Sequence, residues 1–143
     1  MTLERFDEAR RATKPKPELL RHLNDALGFY RQALQITSPD HIGQLAAVHN
    51  QLGLICSQSA DLERALHHYR ESIRYEEAAG NLFGAAQSRR NVAIVLKAAG
   101  RLADAREYAL AALRNFRDCA GAEEMIQKTL DLISDIARAA GNI

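Results

Sequence analysis

Apolar residues recur along the chain at intervals of three and four, with polar residues between them, over stretches of several helical turns. No segment alternates apolar and polar positions at period two for long enough to form one face of a sheet. The pattern predicts helices near 2–13, 17–37, 41–58, 61–79, 82–99, 101–119 and 122–140. Turn-forming residues fall between them: Ser38-Pro39-Asp40, Ser59-Ala60-Asp61, Gly80-Asn81, Gly100-Arg101 and Ala120-Gly121. Asp40, Asp61 and Asn81 are expected N-caps. Gly80 and Gly100 are expected just beyond helix C-termini. Pro17 suits the first turn of the second helix, where its missing N–H costs nothing. The stretch TKPKP (13–17) is the one real linker.

The pattern repeats. Leu52-Gly53 aligns with Val92-Ala93 forty residues on, and Leu62, Ala65, Ser72 and Ile73 align with Leu102, Ala105, Ala112 and Leu113. Ala60, in one turn, aligns with Gly100 in the next. At an offset of forty-one, RAAG (138–141) matches KAAG (97–100); thirty-nine residues back, DALGFYRQALQI (25–36) matches RALHHYRESIRY (64–75). Identities are few, but size and polarity agree. A period of about forty residues containing two helices marks a helical-hairpin array. Within it Gly53 is conspicuous, because Gly in a helix interior costs about 1 kcal/mol relative to Ala. Close helix–helix approach is the natural compensation.

Leu52, Gly53, Ala65 and Tyr69, followed by small Ser72, resemble the signature of the tetratricopeptide repeat (TPR) family. The resemblance covers about 17–141 and is best over 46–81. Its usual Trp-like position falls on His49 and its terminal Pro position on Glu77. The unit is longer than the commonest TPR, and is similar to the repeats of kinesin light chain, of Leu-Gly-Asn scaffolds and of bacterial signalling proteins. The resemblance implies an all-α superhelical solenoid of about three hairpins and about seven helices. It implies one domain over 1–143: an atypical segment 1–16, then units 17–40, 41–81, 82–121 and a truncated 122–143. The segment 1–16 reads as a cap or as the tail of an earlier repeat.

Composition narrows the function. With 19 Lys+Arg against 18 Asp+Glu the formal net charge is +1, which argues against an electrostatic grip on nucleic acid or anionic membrane. Arg89, Arg90 and Arg101 form a small basic patch without interleaved aromatics. Two cysteines in apolar surroundings, Cys56 and Cys119, point to a reducing compartment and no disulfide framework. Met1–Arg11 carries charge from residue 4 and does not read as a secretory signal, and apolar runs such as 92–96 are far too short to span a bilayer. A cytoplasmic protein is expected.

Catalytic and metal chemistry find little support. The histidines at 22, 41, 49, 67 and 68 form no HxxxH pair and lie at no metal spacing from a cysteine. Glu76-Glu77 and Glu123-Glu124 read as solvated helix faces rather than acid–base pairs. There is no Gly-rich phosphate loop and no nucleophile motif, so neither an enzyme nor a cofactor is expected.

The TPR resemblance places the first helix of each hairpin on an inner, ligand-facing surface. It assigns Asn50, Leu54 and Ser57 from one unit and Gln87, Arg90, Asn91, Ile94 and Lys97 from the next to a partner-binding groove. In the last helix it assigns Asp131 and Asp135, with Lys128 and Arg138 beside them. Asn50 and Asn91 could both donate to and accept from an extended peptide backbone. Arg90 and Lys97, at i and i+7, could receive a carboxylate or phosphate. Leu54 stands where a clamp for C-terminal carboxylates would need Asn, which argues against that ligand. The bland alternative is a solvated helix face. The expected function is a non-catalytic module that binds a peptide or helix of another protein. The other reading is self-association or docking within a larger protein. It rests on Met125, Ile126, Leu130, Leu132, Ile133 and Ile136 of the last helix, which the sequence leaves without a following partner and which suggest a homodimer or a longer array.

Overall fold

A computed structural model describes residues 16–141. Six helices follow one another: α1 (Lys16–Ile36), α2 (Ile42–Gln58), α3 (Leu62–Ala78), α4 (Leu82–Ala98), α5 (Leu102–Arg117) and α6 (Glu123–Ala139). Each lies within two residues of its expected span. The expected helix near 2–13, with the linker ahead of Lys16, lies outside the described residues. Among those residues the structure is all-α, with no strand.

Consecutive helices pack on one another, and α4 also touches α6. This nearest-neighbour stacking is the arrangement of a solenoid, in which each hairpin buries its apolar face against the next. The largest core runs through α2 to α6. Cys56, Leu66, Tyr69, Val92, Leu96, Leu132 and Ile136 fill it around the small residues Ala65, Ala93, Ala105 and Ala109. A second cluster joins α1 to α2 through Leu23, Ala26 and Ile55. A third sets Phe116 against Phe83 edge-on, with ring centroids 5.3 Å apart, and gathers Ala86, Ala112, Ala122, Met125 and Ile126.

Gly53 has a clear reason. A Cβ there would lie 2.8 Å from Cδ1 and 2.9 Å from Cε1 of the Tyr69 ring, which is itself buried. Gly and Tyr thus form one packing unit. At the matched positions of the next hairpin stand Ala93 and Ala109, both fully buried.

The turns after α2, α3 and α4 share one geometry. Asp61 N–H donates to the Cys56 carbonyl (2.9 Å), Asn81 N–H to Glu76 (2.8 Å) and Arg101 N–H to Leu96 (2.9 Å). Each is the six-residue closure of a Schellman motif, which needs a left-handed residue one position earlier. Gly80 (φ 71°) and Gly100 (φ 78°) supply it, and Ala60 (φ 61°) does so without glycine's freedom. Asp61 and Asn81 cap their helices as expected, accepting from Arg64 N–H (3.2 Å) and Gly84 N–H (2.9 Å). Asp40 does not. The N-cap of α2 is His41, whose side chain makes no cap bond, and the Asp40 N–H instead meets Ser38 Oγ at 3.4 Å. The loop ahead of α2 is one residue longer than expected, which moves the carboxylate out of capping reach.

The apolar side of α6 is largely occupied. Leu132 and Ile136 are buried, Ile133 packs against the main core, and Met125 and Ile126 pack against the Phe116 cluster. The preceding helices α4 and α5 thus partner these five side chains; the expected lack of a partner concerned a following helix and is a separate matter.

Candidate functional site

Two depressions lie along α2. The larger, about 450 Å³, is lined by Leu54, Ser57 and Gln58 of α2, Ala60 and Leu62 of the following turn and helix, and Ile94, Val95, Ala98 and Ala99 of α4. Its walls are mostly hydrocarbon. Ile94 is 39% exposed, one of five large apolar side chains so exposed among the described residues. The geometry follows from the repeat. α2 and α4 are the first helices of successive hairpins, and their C-terminal ends finish in Ala60 and in Ala98-Ala99, too small to fill the space between them.

Beside this depression, Asn91 Nδ2 donates to Asn50 Oδ1 at 3.2 Å. The bond spans two hairpins and leaves the Asn50 amide NH₂ and the Asn91 carbonyl oxygen without a further hydrogen bond among the described residues. Together they form a donor–acceptor pair suited to a peptide unit.

The structure therefore brings Leu54, Ser57 and Ile94 into one depression and joins Asn50 to Asn91. It does not place Gln87, Arg90 or Lys97 in the lining of either depression. Gln87 is exposed and Arg90 half-buried. Asp131 accepts from Gln127 Nε2 at 3.0 Å, and Asp135 pairs with Arg138 at 3.2 Å, both within α6. Lys128 pairs with Glu124 in the same helix. Gln58, Ala60, Leu62, Val95, Ala98 and Ala99 escaped sequence reasoning, although the run of small residues at each helix end was a usable signal.

The second depression, about 220 Å³, lies toward the N-terminal end of α2 and is lined by Gly43, Ala46, Ala47, Asn50, Glu76, Ala79 and Asn81. Glu76 corrects a sequence expectation. Glu77 is exposed and pairs with Arg89 (3.1 Å), whereas Glu76 turns inward, and Ser88 Oγ donates to its Oε1 at 2.6 Å. Ser72 Oγ lies 3.1 Å from the same oxygen and 2.9 Å from the Ala46 carbonyl. Burial raises the Glu76 carboxyl above the usual range, partly offset by the serine hydroxyls and by Arg89. Adjacent carboxylates on a helix point about 100° apart, so one can be solvated while its neighbour meets the next hairpin.

A third cluster was hidden by sequence distance. His49 Nδ1 and His68 Nδ1 approach to 3.0 Å, the His49 ring stacks on Tyr75 at 5.7 Å, and Arg74 lies over the Tyr75 ring at 4.7 Å. The two histidines are nearly equidistant from the α2–α3 turn, which is what brings them together. Burial is the main reason both imidazoles titrate low, His68 down to about 4. No group of three or more potential metal ligands occurs among the described residues. Cys56 is buried in the core, and burial pushes its thiol up, away from nucleophilic reactivity.

No protein-family model and no curated protein matches the chain. Among solved structures, the crystal structure of BtubC (BKLC) from P. vanneervenii is similar, with a TM-score of 0.77 at 20% sequence identity, over 97% of this chain and 63% of that one. This chain thus spans slightly less than two thirds of that protein's length. The likeness defines the fold as a TPR-like helical repeat. Among the described residues no helix is long and apolar enough to cross a membrane.

Proposed function

We propose that the chain is a non-catalytic interaction module that holds a peptide or helix of another protein between α2 and α4. The observation that carries this reading is the 450 Å³ depression with half-exposed Leu54 and exposed Ile94 on its walls. An apolar recess beside a polar pair fits the general form of peptide recognition, in which a pocket takes one side chain and amides take the backbone. The Asn50–Asn91 pair would meet the backbone, and Ser57 and Gln58 would border the anchor side chain. Arg90 and Lys97, outside the recess, would act on charge at longer range. The rigid helical walls keep the ordering cost of binding on the ligand's side.

Selection of random peptides displayed on phage tests this. Peptides enriched on the wild-type chain should share a large apolar residue. Their affinity should fall about tenfold or more on Ile94→Asp and Leu54→Asp, since burying one large apolar side chain is worth about 1.5–3 kcal/mol. Helicity by circular dichroism should be unchanged in both variants. Selected peptides that bind the variants as tightly as the wild type would refute the site.

A further inference from the structure

The depression over Glu76 shares only Asn50 with the reading above, and its chemistry is of another kind. Glu76 is a half-buried carboxylate without an ion-pair partner among the described residues. Arg89, the cation that acts on it, is already committed to Glu77 at 3.1 Å and to the Asn115 side-chain oxygen at 2.9 Å. Two hydroxyl protons, those of Ser72 and Ser88, face three acceptors: the Ala46 carbonyl, Glu76 Oε1 and whichever serine oxygen the other hydroxyl approaches. If Ser72 serves the carbonyl, its contact with Glu76 sets oxygen lone pairs against each other. Both hydroxyls can instead point at Glu76 Oε1, and what the cluster lacks is a positive charge of its own.

Space for a donor is present. Gly43, Ala46 and Ala47 are small, and the recess they leave holds about 220 Å³, bounded by Glu76 on one side and Asn50 on another. A single water needs only about 10–15 Å³ of such space. Asn50 Oδ1 accepts from Asn91 and retains a second lone pair. The glycine at 84 belongs to the same construction. A Cβ there would stand 2.5 Å from Glu76 Oε2 and 2.5 Å from Asn81 Nδ2, so any larger residue would push the carboxylate from its place.

We infer that this recess is a subsite for an alkylammonium group, held by Glu76 and Asn50. An ammonium brings three donors and a positive charge on a narrow stem, which matches a small recess holding one carboxylate and the Asn50 side-chain carbonyl oxygen. A bound cation would also lower the carboxyl of Glu76, which burial now raises. The group could arrive on a lysine side chain of a protein or as a free small amine.

Amide chemical-shift titration of the full chain tests the site without a known partner. The probes are Nα-acetyl-lysine methylamide, n-butylammonium chloride and, as the neutral control, Nα,Nε-diacetyl-lysine methylamide. Both ammonium probes should give saturable shifts at Gly43, Ala47, Asn50 and Asn81, and the neutral control none. Glu76→Gln should weaken binding about tenfold, the loss expected for one charge-assisted contact. Ala47→Lys, at an exposed position that leaves the core untouched, should fill the recess with its own ammonium and abolish the response. Tighter binding of the lysine derivative than of butylammonium assigns the site to protein side chains, and the reverse assigns it to free amines. A neutral control that shifts the same amides equally, no saturable shift in the wild type, or an unchanged response in Ala47→Lys would overturn the inference. The amides of Gly43, Ala47 and Asn81 belong to this recess and not to the apolar depression, so their response is separable from peptide binding there.

Discussion

Replacing Gly53 by Ala sets two effects of known size against each other. Helix propensity favours Ala by about 1 kcal/mol. Against it stands the Tyr69 ring, three of whose atoms would lie 2.8–3.0 Å from the new methyl group. Ordinary contact needs 3.4 Å or more, so the ring would have to retreat by roughly half an ångström. Tyr69 is 2% exposed and sits among Cys56, Leu66 and Ile73, so it has little room to do so. Overpacking of this kind costs about 1–3 kcal/mol. The net expectation is a loss of about 1 kcal/mol and a melting temperature lower by about 3–5 °C for a domain of this size. Gly28 is the internal control. It lies in α1, exposed, with no atom within 4 Å of the place a methyl group would take, so Gly28→Ala should gain close to the full propensity term. Thermal and urea unfolding of the two single variants should therefore move in opposite directions, separated by about 2 kcal/mol. In a Tyr69→Leu background, less stable from the outset, Gly53→Ala should turn neutral or stabilising, because the obstructing ring is gone. If Gly53→Ala raises the midpoint as much as Gly28→Ala does, the account of Gly53 as space for Tyr69 is wrong.

Other expectations follow from the turns and the polar clusters. Ala60→Gly should stabilise the chain by about 0.5–1 kcal/mol in urea unfolding, since glycine adopts the left-handed φ of 61° without the Cβ penalty. Gly84→Ala should cost about 1 kcal/mol or more, because the methyl group displaces the Asn81 cap as well as Glu76. The His49–His68 pair should make stability fall with acid. Both rings titrate lower in the fold than in the unfolded chain, so between pH 6.5 and about 4 the unfolded state binds more protons. The contribution is complete above pH 6.5 and is lost progressively as the pH falls toward 4. Glu71 opposes the effect at His49, while His67, Arg31, Arg64 and Arg74 act with it. Allowing for the half-open position of His68, the loss at pH 5 should be about 1 kcal/mol, and His68→Gln should flatten the stability profile between pH 7 and 5. Unfolding curves whose pH slope is the same in His68→Gln and wild type would exclude the pair as its source.

Much of this molecule is present in the one-dimensional pattern. Helix spans, the Schellman turns at Gly80 and Gly100, the caps at Asp61 and Asn81 and the close approach at Gly53 depend on residues near one another in the chain or on a period that the chain repeats. Local stereochemistry and hydrophobic spacing set them, so they are legible without coordinates. The recesses are not. Whether Leu54 and Ile94 share a cavity depends on how one hairpin leans on the next, and that is decided by side-chain volumes summed over the whole interface. The same holds for Glu76, whose sequence neighbour Glu77 is solvated while it turns onto Ser88. It holds for His49 and His68, nineteen residues apart in the chain and 3.0 Å apart in space. It holds for α6, whose apolar residues divide between the main core and the Phe116 cluster. Sequence specifies which surfaces must be buried; the packed array alone determines which polar groups are carried inside with them and where space is left over.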